Sequence, residues 1–122
     1  MRAHVPPGWP DGVPPAGAPG WERRARAWLL DACPAEYRGY PVVLHHPVLL
    51  VRLAARHVAG QAAATDTALA TVRADLAGLL ERPAVDEAVQ VLQAEQARLA
   101  ALLRSVELVE HALRGGTFVP RL

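Results

Sequence analysis

Apolar side chains recur at helical spacing over two long stretches, residues 47–81 and 83–114, which together make up more than half of this 122-residue chain. A heptad frame with position a at Val48 aligns Val48, Val51, Ala55, Val58, Ala62, Thr65, Leu69, Val72, Leu76 and Leu79 on one seam. A second frame, with a at Val85, aligns Val85, Ala88, Leu92, Glu95, Leu99, Leu102, Val106, Val109 and Leu113. Such stripes are buried by packing one helix on another, and only Thr65 and Glu95 interrupt them. At 1.5 Å per residue each helix spans about 45–50 Å. Only Arg82-Pro83 joins the two stretches, and so short a joint makes them antiparallel neighbours. Pro83 suits a first turn, where its missing N–H has no partner to lose. Gly115 or Gly116 can take the left-handed conformation that ends the second helix, leaving a tail at 115–122.

Upstream the pattern changes. Residues 1–20 hold six prolines and four glycines, a composition that forbids a helix and predicts a polyproline-like arm or a flexible tail. Trp9, between Gly8 and Pro10, favours the arm: an exposed tryptophan forfeits a large hydrophobic gain, so the arm is expected to lie on the body. Residues 21–33 read as a short helix, preceded by Pro19-Gly20, with Glu22 in its first turn and Pro34 as its stop. Trp21, Ala25, Trp28, Leu29 and Ala32 form its apolar face. Residues 34–46 read as a connector in which Val42-Val43-Leu44 is too short for a sheet.

Apolar residues outside the two seams locate further contacts. Leu49, Leu50 and Leu53 fall at b, c and f, and Leu103 and Leu108 at e and c. Pairing about residues 82–83 sets residue i near 165 minus i, so Leu108 lies beside position 57 and both surpluses meet at the open end of the hairpin. A helix apolar all round is buried all round, so the short N-terminal helix is expected to pack there. An aromatic cluster of Trp9, Trp21, Trp28, Tyr37, Tyr40 and Phe118 would surround it. The predicted fold is all-α: one domain built on a long antiparallel two-helix hairpin, coiled-coil-like, with a short helix at its open end. At the hinge end Leu80, Val89 and Val91 flank the seam with no third element available, and they are the candidate interface for a homodimer or another protein.

Composition removes most chemistries. Net charge is only +1, from 13 basic and 12 acidic residues, so no strong field draws the chain toward nucleic acid or anionic lipid. Every basic residue is Arg, and Lys, Asn and Ile are absent, a bias of GC-rich coding. The start has no signal-peptide pattern, and the longest window without Asp, Glu or Arg, residues 39–51, is 13 residues against the roughly 20 a membrane span needs. A soluble, cytoplasmic protein is expected, in keeping with the single Cys33. Without Lys there is no phosphate-binding lysine or Schiff base, and Ser105, the sole serine, lies mid-helix outside any nucleophile motif.

Weaker candidates remain. Glu107, Glu110 and His111, with His57 and more distantly His45 and His46, have metal-ligand chemistry. Their frame positions face away from the seam, whereas bundle ligands point inward, so no metal and no cofactor is expected. Glu107 and His111 read as a solvated i,i+4 pair. Glu95 reads as a register-setting polar residue paired with Arg73 or Arg98 rather than a catalytic acid. Cys33 reads as a small buried hydrophobe. Arg23, Arg24 and Arg26 beside two tryptophans form too small a patch for phosphate binding, with twelve acids spread along the chain. The PGWP segment at 7–10 matches P-x-x-P, a frequent pattern in proline-rich sequence.

Three blocks together resemble small all-helical proteins of high-GC actinobacteria: GWP at 8–10, AWLLD at 27–31 with Pro34 and YRGYP at 37–41, and ALR at 112–114 with FVPRL at 118–122. The resemblance spans nearly the whole chain and implies no activity. The expected function is a non-enzymatic interaction or scaffold protein. The alternatives are a small metal- or ligand-binding protein using the Glu/His cluster and an Arg-based nucleic-acid binder.

Overall fold

A computed structural model describes residues 5–116. Every regular element in it is helical: α1 (Trp21–Asp31), a short 3-10 helix (Ala35–Gly39), α2 (Pro41–His45), α3 (Pro47–Leu76) and α4 (Arg82–Leu113). The fold is the all-α hairpin that the periodicity predicts, with α3 and α4 packed antiparallel along their length and α1 lying mainly against α3 near the open end.

Three polar pairs fix the register of the hairpin. Arg73 Nη1 donates to Asp86 Oδ1 at 2.9 Å, Gln96 Nε2 to Asp66 Oδ1 at 2.8 Å, and Arg52 Nη1 to Glu110 Oε2 at 3.1 Å. Paired residue numbers therefore sum to 159–162 rather than 165, a slip of up to about two turns from pairing about residues 82–83. The cause is the end of α3. The helix stops at Leu76, not at 81, because Ala77-Gly78 form a type II turn in which the Leu79 N–H reaches the Leu76 carbonyl at 3.0 Å. That turn requires positive φ at its third position, and Gly78 supplies it at 77°. The joint is thus residues 77–81, with Arg82 and Pro83 already in the first turn of α4. At the other end of α4, the N–H groups of Gly115 and Gly116 bond the carbonyls of Ala112 and His111 at 3.1 and 2.9 Å, closing the helix in the double-bonded manner expected of a left-handed glycine.

Prolines shape the N-terminal third. α1 ends at Asp31, two residues short of the expected boundary, and its last N–H groups tighten to i−3 carbonyls before Pro34. The connector holds a helix where none was expected: Pro41 and Pro47 each open one, α2 and α3. Each proline drives the residue before it, Tyr40 (ψ 104°) and His46 (ψ 87°), out of the helical region. The result is an elbow between α2 and α3.

The arm is laid on the body, not as a polyproline rod but as successive turns. The N–H groups of Trp9, Val13, Ala18 and Trp21 each bond a carbonyl three residues back, at 3.0–3.2 Å. Trp9 is 8% exposed, its ring centroid is 6.2 Å from that of Trp21 at 47°, and its indole N–H donates to the Val13 carbonyl at 2.9 Å. The Ser105 hydroxyl lies 2.6 Å from the Gly8 carbonyl, tying the arm to α4. Gly8 itself sits over Leu108, whose methyl is 3.4 Å from where a Cβ would stand.

Burial is uneven. The main core joins Trp9, Val13, Trp21, Ala25 and Leu29 to Leu50, Val51, Ala54, Val106 and Val109, all at the open end. Seam positions of α4 are buried or half-buried throughout. On α3 the seam departs from the expected frame at both ends: Val48 is 45% and Leu79 74% exposed, while Leu50 and Ala54, off the seam, are fully enclosed by α1 and the arm.

Candidate functional site

From residue 59 to 98 the chain is two helices that no other described element covers, and only Val72 and Val85 are buried there. Ala62, Thr65, Leu69, Leu76, Ala88 and Leu92 reach only partial burial, because two cylinders in contact shield one line of side chains and no more. Beyond that line, at the tip, Leu79, Leu80 and Val91 are 74%, 50% and 62% exposed. Of the residues expected there, Leu80 and Val91 are open and Val89 is half-buried.

A second apolar surface lies at the opposite end. Tyr40 and Val42 on one side of the elbow, and Val48 and Leu49 on the other, are all at least 36% exposed. Sequence periodicity assigns Val48 to the seam and Leu49 to a contact with the N-terminal helix. The pre-proline geometry at Tyr40 and His46 turns these side chains out instead. The signal was present in the Tyr40-Pro41 and His46-Pro47 pairs.

The described aromatic residues gather about one core, with Tyr40 on its outer edge. Trp9 and Trp21 pack with tilted rings in the core, Trp28 and Tyr37 pack at its edge, and Tyr40 pairs with Tyr37 at 6.1 Å between centroids while remaining half exposed. Phe118 lies outside the described residues.

Glu107, Glu110 and His111 do line one open depression of about 380 Å³ with Arg114, Gly115 and Gly116. Its chemistry is committed internally. The Glu110 carboxylate, 13% exposed, accepts from Arg52 and lies 3.9 Å from Arg114, and Gly116 folds directly over the His111 imidazole. His57 does not join this depression, and among the described residues no three His, Cys, Asp or Glu side chains are grouped to hold a metal.

The remaining candidates resolve into local structure. Glu95 is held by its own helix: Arg98 donates Nε to one carboxylate oxygen at 2.9 Å and Nη2 to the other at 2.5 Å. These hydrogen bonds hold its carboxyl below the ordinary value. Arg73 pairs with Asp86 instead, so Glu95 forms no cross-helix register lock with it. Burial pushes the Cys33 thiol up, against a smaller opposing effect of Arg38, so the thiol is neutral near pH 7. Arg24 and Arg26 are spent on the carbonyls of Gly12 and Leu44, which ties the basic cluster to the arm and to α2. Trp9 and Pro10 of the PGWP segment are buried. No helix among the described residues is long and apolar enough to cross a membrane. No protein-family model, curated protein or solved structure matches this chain.

Proposed function

We propose that this chain is a non-enzymatic helical interaction protein that works by presenting the flanks of its hairpin arm to another protein surface, a second copy included. One observation carries the reading. Leu79, Leu80 and Val91 stand in solvent on a two-helix arm with almost no core of its own. Burying each such side chain is worth about 1.5–3 kcal/mol, so a surface that closes over them gains several-fold more than scattered single residues would offer. The reactive groups of the chain point the same way, since Cys33 is a raised thiol and Glu110 is consumed by two arginines.

Sedimentation equilibrium across a wide concentration range tests the self-associating form. Association that is weakened by Leu80→Glu and Val91→Glu, with monomer helicity unchanged, is the expected result. A strict monomer whose two variants keep the full stability of the parent would remove self-association from this reading.

A further inference from the structure

We infer that the partner is a second copy of this chain, docked antiparallel about a twofold axis so that the tip of each hairpin covers the elbow of the other. This deepens the reading above and rests on it. Charge is segregated along the molecule in a way that the overall +1 conceals. Residues 21–58, which form α1, the elbow and the first part of α3, carry six arginines and three acids, a net +3. Residues 59–98, the bare two-helix arm, carry three arginines and six acids, a net −3. Residues 99–116 balance.

Neither end cancels itself. At the tip Glu81 and Glu87 make no ion pair among the described residues, and at the head neither Arg23 nor Arg56 does. Each end also exposes apolar side chains, Leu79, Leu80 and Val91 at one and Tyr40, Val42, Val48 and Leu49 at the other. A twofold axis across the hairpin brings each tip onto the opposite elbow at once, meeting both demands twice with one self-complementary interface. Tip-to-tip pairing would set Glu81 and Glu87 against the same carboxylates of the second copy and bury only the few side chains of the turn. The size also suits. A hairpin face about 45 Å long and two helices of about 10 Å wide offers roughly 900 Å², close to the roughly 800 Å² per partner of a stable interface.

The test uses single-cysteine variants of the full chain in a Cys33→Ala background. Mixed and oxidised, Leu80→Cys and Val48→Cys are expected to form a disulfide-linked heterodimer far faster than Leu80→Cys crosslinks with itself. Independently of any variant, the dimer dissociation constant of the unmodified protein should rise severalfold from 0.1 to 1 M NaCl, as the screening length falls from about 10 to about 3 Å. A dimer whose affinity ignores salt, or in which Leu80→Cys links chiefly to itself, overturns the antiparallel tip-on-elbow arrangement but leaves self-association standing. A monomer at every concentration overturns both the arrangement and self-association, and leaves standing only the reading in which a different protein covers the tip.

Discussion

Trp9→Ala tests how the arm is held. The indole is 8% exposed, packed at a tilt with its centroid 6.2 Å from that of Trp21, and hydrogen-bonded to the Val13 carbonyl. Truncating a tryptophan in such a site costs about 3–5 kcal/mol when its surroundings stay in place. Here they need not stay. The arm is covalently joined to the body only through residue 21, so the chain can always release its docking contacts, and no arm substitution can cost more than docking the whole arm contributes. The expected loss is therefore about 3 kcal/mol, equal to that of deleting residues 1–16, and it lowers the melting temperature by roughly 10–15 °C. Ser105→Ala, which removes the hydroxyl bond to the Gly8 carbonyl, should cost about 1 kcal/mol alone and almost nothing once Trp9 is gone. Urea unfolding followed by far-UV circular dichroism, run as a double-mutant cycle, measures all of these. Fully additive losses, or a Trp9→Ala protein as stable as the parent, would refute the shared-latch argument.

Gly78→Ala is expected to cost about 1–2 kcal/mol, the penalty of a Cβ at positive φ. Nothing stands within 4 Å of the new methyl, so the loss is conformational, and thermal unfolding should show it without a change in helicity. The Cys33 thiol, pushed up by burial, should react with a disulfide reagent near pH 7 more slowly than a small free thiol and reach the free-thiol rate in denaturant. Glu95 has a lowered carboxyl pKa, so its pairing with Arg98 stabilises the native state above the ordinary carboxylate pKa and is lost as pH falls through the lowered value. Glu95→Gln should flatten the acid limb of a stability–pH curve slightly and leave neutral stability nearly unchanged, because the pair is on the surface.

The hairpin was legible because periodicity over thirty residues averages out local exceptions: every α4 seam position from Val85 to Leu113 is buried or half-buried. The register was not, since a heptad frame runs on through Gly78 and carries Leu79 into a seam that has already ended. The elbow was missed for a related reason. Burial of Leu50 and exposure of Val48, two residues away, are decided by where α1 and the arm land, a long-range matter that a period cannot encode. At the tip, Leu80 and Val91 are placed on open flanks by their positions beside the seam, whereas at the elbow Val42 and Tyr40 follow only from the backbone consequences of Pro41.

The uneven core also sets what a partner can do. With Leu29, Leu50, Val51, Val106 and Val109 enclosed at the head and only Val72 and Val85 buried between residues 59 and 98, most apolar stabilisation is concentrated at one end. Cooperative units open in the order of their buried contacts, so the arm opens before the head does. A surface that closes over the tip therefore stabilises the weakest segment directly, and does so in proportion to the logarithm of its concentration over its dissociation constant. Self-association that sets the tip on a partner's elbow would make the stability of the arm depend most steeply on protein concentration, and that of the elbow with it, while the enclosed core around α1 and Trp9 gains least.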